Sequence, residues 1–569
     1  MSSVLAMGRS ARYPGSLLFI GGLLCAPLAF LVPDHIPPWL AFRAEALAFA
    51  GLAIALLGMH LSGRGRDGPH PLTLLIAAFS VFPWLQWGAG IHPYAGDALL
   101  SWFYLAGAAM AVHLGTTIAS EPNRNTLLNT AMAFLAVGAV ASSAIGVVQW
   151  FGIFESGWIV DASAGSRASG NLAQPNHLAT VCLAGVVAIV WLHHRGLLGR
   201  LAFLSSLGIV TAGVALSQSR TGLLSAYCLV GLSFFLRPRV ITALNVGGVL
   251  AWLLALSLAW IAAPRLAGLL QLGQARELFA VASDGRWEIW RKIIDGILQR
   301  PLLGYGWNQT TVSHMAGAGA GGPGGITTTH AHNIALDLAA WVGIPMASLL
   351  LIACIYWIWT RVRALREPEA AFAFLTLVPF AVHSFLEFPF AYAYFLIPAA
   401  IAVGVVEAHY VRTTLPIPRT PFIALYVLWV GLGAGIAFEY QVIESEYREV
   451  RFAAARIGRP STVDGHKALV LNTHMRSMID AAKTRIRPDM PEDELANLER
   501  ACNRFPYSSL TMRCAIAFAL NDRPALAAAT MERYRHIFGA AAYEAASHVY
   551  AHQLQVTGID PHSGKKVRP

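Results

Sequence analysis

The chain has 569 residues, 56% of them hydrophobic and only 13% charged, with a mean hydropathy of +0.53 and a formal net charge of +10. Soluble chains carry about 25% charged residues, so this composition excludes an ordinary soluble domain and fits repeated crossings of a bilayer. The basic residues are spread over many loops, which points to anionic lipid or an anionic substrate and argues against nucleic acid.

Thirteen spans are predicted, at about 15–33, 44–61, 72–87, 98–118, 127–149, 177–194, 201–217, 222–236, 241–262, 334–360, 370–384, 392–409 and 421–437. The first has the look of a signal peptide, but no small-residue cleavage site follows it, so it is read as a retained span. Arg9 and Arg12, Arg64 and Arg66, Arg124, Arg195 and Arg200, Arg237 and Arg239, Arg361, Arg363 and Arg366, and Arg412 and Arg419 all fall on one side of a strict alternation. The positive-inside rule makes that side cytoplasmic. The opposite face then receives the loop at 150–176, the Ser219-Arg220 pair, a long loop at 263–333, the turn from His383 to Glu387, and the tail. This divides the chain into a membrane domain, 1–437, and an extracytoplasmic helical domain, 438–569. The tail's apolar residues recur at helical spacing in short segments like those of helical-hairpin repeats. Of six cysteines, Cys25, Cys182, Cys228 and Cys354 lie in apolar runs, whereas Cys502 and Cys514 lie in the tail and can pair if it faces an oxidising compartment.

Four polar groups mark span ends on the outer face. In "SGNLAQPNHLAT", Gln174, Asn176 and His177 flank Pro175, a residue suited to a helix start. Asn176 as a simple cap is the plain alternative to a polar pocket. In "ALSQSRTGLL", Arg220 stands between two apolar runs, against the positive-inside trend; snorkelling is the plain alternative. "SDGRWEIWRKIIDGILQRPLLGYGWNQ" reads as a helix capped by Ser283 or Asp284 that can lie among lipid headgroups, with Trp287, Trp290, Ile293, Ile294 and Ile297 as its apolar contacts. A cation such as Arg286 in the first turn of a helix is disfavoured by the dipole, which suggests an anion beside it; Arg291 follows closely. The fourth group combines His330, His332 and Asn333 in "TTTHAHNIALDLAAWVG" with "VHSFLEFPFAYAYFLIP", where His383 and Glu387 are four apart on one helical face. Tyr392 fits either this group or an interfacial aromatic belt.

Polar residues at membrane depth are costly and are functional candidates by default. Arginines can hold a departing phosphate, and a histidine can take a proton near neutral pH. No HExxH signature is present, so neither a metal nor any other cofactor is expected, and without a GxxxxGK[ST] loop an ATP-driven reaction is unexpected. A transporter should place its polar residues midway across the membrane; here they gather at one face.

The motifs "QPNHLA", "SQSRTGLL", "GRWEIW…RPLLGYGW", "HAHNIALDLAAWVGI" and "HSFLEFPFAYAYFL" resemble those of the O-antigen ligase superfamily, and most closely the bacterial protein O-oligosaccharyltransferases (PglL type). The similarity runs from about 160 to 440, and the tail resembles that family's soluble domain. The resemblance implies an all-α polytopic membrane protein of about thirteen transmembrane helices with a GT-C-like glycosyltransferase architecture, placed in the bacterial inner membrane with its site and tail periplasmic. It also implies metal-independent, inverting transfer of a preassembled glycan from undecaprenyl diphosphate to serine or threonine of a periplasmic protein such as a pilin. Lipid A-core ligation is the alternative, and O-antigen polymerisation or lipid-linked sugar transport lies further off. It makes His332, beside Asn333, the base, and Arg220 and Arg286 the diphosphate holders. Gln174, Asn176, His177 and Tyr392 would shape the pocket, to which Arg291, His330, His383 and Glu387 are added as substrate-binding candidates. Phe388 stands where the family pattern would have a tyrosine. The run "AGAGAGGPGG", Ala316 to Gly325, is either a mobile cover for the site or a plain linker.

Overall fold

The computed structural model describes residues 14–64, 68–237, 245–272, 285–319, 327–411, 414–415, 419–455 and 469–557. Among these residues all regular structure is helical, and nine helical stretches, with Pro71–Gly88 taken as one, are long and apolar enough to cross a membrane. Three shorter apolar helices, Pro14–Ala29, Arg200–Leu216 and Arg220–Leu236, fall at further expected spans. The architecture is that of an all-α polytopic membrane protein. The expected span at 72–87 is two helices, Pro71–Phe79 and Phe82–Gly88. Pro83, which has no N–H to give to a continuing helix, sits in the first turn of the second. The last expected span, 421–437, is part of one helix, Arg419–Ala454, that runs on through "EYQVIESEYREV". The helix cap expected at Ser283 or Asp284, and residues 320–325 of the glycine-rich run, lie outside the described residues, as do Arg9, Arg12, Arg66, Arg239 and Arg412.

The chain forms two compact units. The first draws on 1–80, 103–280 and 354–430. Its core is the Pro175–His194 helix, apolar on every side, with Leu178, Ala179, Cys182, Leu183, Ala188, Ile189 and Trp191 buried. A helix that is hydrophobic all round belongs in the middle of a bundle. Glycine makes one close approach possible here: a Cβ on Gly185 would meet that of Ala139 at 2.3 Å.

The second unit draws on 81–102, 281–353 and 431–569. Five helices between Thr473 and Val556 make up its C-terminal part. Leu495, Leu498, Ala501 and Cys502 recur on one face of the Glu492–Arg504 helix and pack on Leu510, Cys514, Ala517 and Phe518 of Ser508–Leu520. A Cys502–Cys514 disulfide, Cα atoms 6.8 Å apart, ties this helical pair. In the same unit the Ile334–Ala364 helix breaks at Gly343, whose φ of 78° suits glycine. The break admits the "RPLLGYGW" backbone: Tyr305 and Gly306 donate to the carbonyls of Ala340 and Trp341, and Ile344 donates to that of Pro301.

Candidate active site

In the first unit the candidate residues converge on Asn176. Pro175 occupies the first helical position, so the cap is the residue before it: Gln174 accepts from the His177 N–H at 2.9 Å. Asn176 is thereby released from capping. Its carbonyl oxygen accepts from the Ser219 hydroxyl at 2.7 Å and from Arg167 at 3.1 Å, and its amide nitrogen donates to Glu387 at 3.2 Å. One turn along, Thr180 and His383 Nδ1 are 2.8 Å apart. Asn176 and Thr180 thus form two rungs with Glu387 and His383, four residues apart on each side. All four are buried, as an economical polar network in apolar surroundings must be if it is to stay satisfied.

Ser219 uses the same hydroxyl oxygen to accept from the Gly222 N–H at 2.8 Å, so it caps the Arg220–Leu236 helix while bonded to Asn176. This fixes Arg220 as the first helical residue, exposed, at the positive end of the helix. Arg167 also donates to the Ser217 carbonyl at 3.0 Å and braces the same turn. The His177 ring lies edge-on to Tyr392 with centroids 4.7 Å apart and is 3.3 Å from the Tyr394 hydroxyl. Phe388 stacks on Tyr392 with centroids 5.8 Å apart.

In the second unit the histidine turn is built from the backbone inward. Asp337, fully buried, accepts from the Ala331 N–H at 2.9 Å and from Thr310 at 2.5 Å, and lies 3.7 Å from His330 Nδ1. Trp341 donates to Thr310 at 2.7 Å and extends the network. Asn333 accepts from the Ala335 N–H at 3.0 Å, capping the next helix. Between these anchors His332 adopts a φ of 53° and is half-buried. Non-glycine residues rarely hold that conformation unless their surroundings impose it, and such residues cluster at functional sites. His330 is therefore packed inside the turn, and His332 is the one presented.

The Arg286–Gln299 helix is pinned to this turn by Trp290, which donates to the Ala331 carbonyl at 2.8 Å. Arg286 is its first residue, after Gly285 at φ 61°, and among the described residues no side chain caps that end. Arg291 is exposed. Ile289, Ile293 and Ile297 supply the buried apolar face; Trp287 and Ile294, expected as apolar contacts, are 68% and 40% exposed. Within each unit the expected residues are thus brought together, Gln174, Asn176, His177, Arg220, His383, Glu387 and Tyr392 in one, Arg286, Arg291, His330, His332 and Asn333 in the other. Ser219, expected only as the outer-face neighbour of Arg220, joins the first set as its cap. Arg167, Thr180, Asp337 and Thr310 complete the two sets and were not anticipated. A carboxylate in the helical turn after "HAHN" is the one signal that pointed to any of them, Asp337.

Three family models match stretches of this chain. A model described as protein glycosylation ligase matches residues 168–193, one described as O-antigen ligase matches 202–351, and one described as the C-terminal part of a virulence factor membrane-bound polymerase matches 371–553. A general O-oligosaccharyltransferase of Acinetobacter baylyi is 30% identical over 438 residues, 75% of this chain and 76% of that one. A ComP-specific O-oligosaccharyltransferase of the same organism is 25% identical over 457 residues, 78% of this chain and 80% of that one. No solved structure matches. The chain therefore belongs to the O-oligosaccharyltransferase family of O-antigen ligase-like membrane glycosyltransferases.

Proposed function

We propose that this enzyme transfers a preassembled glycan en bloc from undecaprenyl diphosphate to serine or threonine hydroxyls of a periplasmic protein such as a pilin, from a site on the outer face of the inner membrane. The observation that carries this reading is that Arg220 and Arg286 each occupy the first position of a helix. There a guanidinium and the positive end of the helix dipole act together, an arrangement suited to a phosphate. His332 accepts the proton of the acceptor hydroxyl, and the oxygen bonds to the anomeric carbon. The bond from that carbon to the diphosphate oxygen breaks, and the electron pair leaves on the diphosphate, which Arg220 and Arg286 stabilise. Asn176, Gln174, Glu387, His383 and His177 hold the arginine turn in register, Tyr392 lines the pocket, Asn333 and His330 orient His332, and Arg291 assists at the headgroups. The tail disulfide supports a periplasmic tail, because disulfides persist in oxidising compartments.

The test is reconstitution with an undecaprenyl-diphosphate-linked glycan and a pilin-like acceptor, read by intact mass. A glycan-sized mass gain that His332→Ala abolishes supports the proposal; no gain on the protein sinks it. The match to the O-antigen ligase model makes lipid A-core the second acceptor to assay, and a gain confined to that lipid would transfer the enzyme to ligation.

A further inference from the structure

The Arg286–Gln299 helix has a lysine on its buried side. Lys292 is 1% exposed and shares a face with Ile289, Ile293 and Ile297. A buried ammonium is stabilising only if its charge is paired and its protons are bonded. Its Nζ lies 2.7 Å from Glu288 Oε1, one turn back, and donates to the main-chain carbonyl of His536 at 2.6 Å. His536 is in the last turn of the Pro524–Phe538 helix, where carbonyls lack intrahelical partners and the dipole is negative. Lys292 thus acts as a cap, supplied from a segment 244 positions away.

The surroundings make this contact close and specific. Met315, Ala318 and Ile537 form a buried cluster with Phe538 against it. A Cβ on Gly317 would meet the Lys292 carbonyl at 1.9 Å, and one on Gly296 would meet that of Ser313 at 2.0 Å, so both glycines are needed for the segments to nest. The neighbouring His314 is fully buried, and burial, with the Lys292 charge adding to it, holds its pKa down at about 4. A neutral imidazole beside a buried ammonium leaves Lys292 as the charge that the helix end must answer.

We propose that Lys292 is a positioning residue: by capping the Pro524–Phe538 helix it fixes the Arg286 helix, and so makes the C-terminal helical domain a splint for recognition of the donor diphosphate. This rests on the donor role proposed above for Arg286. In full-length enzyme, Lys292→Met should raise KM for the lipid-linked donor about tenfold, while KM for the protein acceptor stays within twofold. Combined with Arg286→Ala, it should add nothing further to the donor KM, because it acts through that arginine. An unchanged donor KM, equal rises for donor and acceptor, or additive effects would each overturn the inference. If Lys292→Met does not fold, Ile537→Ala loosens the same contact without stranding a charge and should give the same donor-selective shift; its absence counts against the proposal equally. A readout independent of activity separates this from failure of the donor assignment. Spin labels at Ile294→Cys and Ala529→Cys, with Cys228 and Cys354 replaced by serine, should show a broadened distance distribution in Lys292→Met. An unaltered distribution would refute the splint whatever the enzyme transfers.

Discussion

The two polar clusters are built on opposite plans. Around Asn176 the bonds run mainly between side chains: amide to carboxylate, hydroxyl to amide, hydroxyl to imidazole. Around His332 they run mainly from side chain to main chain: Asp337 to the Ala331 N–H, Trp290 to the Ala331 carbonyl, Asn333 to the helix that follows. The first plan spends its functional groups on one another and leaves Arg220 at its edge. The second shapes a backbone turn and leaves an imidazole half-buried. One cluster holds and the other presents, so replacing a residue should mean different things in each.

The sharpest break is at the presented imidazole. His332→Ala should lower the transfer rate by about 10³–10⁴-fold, as expected for loss of a general base, with the thermal midpoint unchanged. A rate within tenfold of wild type would demote His332 to a bystander. Next come the arginines: Arg220→Ala and Arg286→Ala should each cost about 10²–10³-fold. If both act on one diphosphate, the double variant should cost clearly less than the product of the two, and strict multiplicativity would assign them to separate tasks.

The disulfide and the asparagine hub follow, and there stability should move. Removing the Cys502–Cys514 bridge, which closes a 12-residue separation, should destabilise the C-terminal helices by about 3 kcal/mol. Hydrogen exchange should show this in 492–520 and leave 175–194 unaffected. Asn176→Ala leaves Ser219, Arg167 and Glu387 each short of one bond and should cost about 1–3 kcal/mol. Its activity loss should follow its loss of folded protein; full folding with activity lost would make Asn176 a substrate contact.

How much of this was legible depends on how far apart the partners are in sequence. The spans were readable because crossing a bilayer demands a continuous apolar run, and the start at Pro175 because proline fixes the first helical position. Gln174, Asn176 and His177 were visible as a group, but their division of labour was not: which one caps depends on where the helix begins to a single residue. Asp337 and Thr310 meet across 27 positions, and Lys292 reaches a main-chain carbonyl 244 positions on. A carbonyl carries no residue identity, so no motif can announce it. "GRWEIWRK" therefore read as three cations of one kind, although Arg286 is half-buried, Arg291 is exposed and Lys292 is a cap in the interior.

The smallest effect is a pH dependence within the second unit. His383 in the first cluster is bonded to Thr180, whereas neither ring nitrogen of the buried His314 in the second unit has a hydrogen-bond partner among the described residues. With a folded pKa near 4 against an ordinary 6.5, His314 is neutral in the native state, while the unfolded chain takes up its proton below 6.5. The stability it contributes is therefore complete above pH 6.5 and is lost as pH falls toward 4. At pH 5.5 the loss should be about 1.4 kcal/mol. Burial also lowers the pKa of His92 and His474 in the same unit, so they shift stability in the same direction. Hydrogen exchange between pH 7.5 and 5.5 should thus accelerate at 310–316, and His314→Gln should remove its own part of that acceleration while sparing the rest. Were His314→Gln as acid-sensitive as wild type at those amides, the buried imidazole would not be the source of that acceleration.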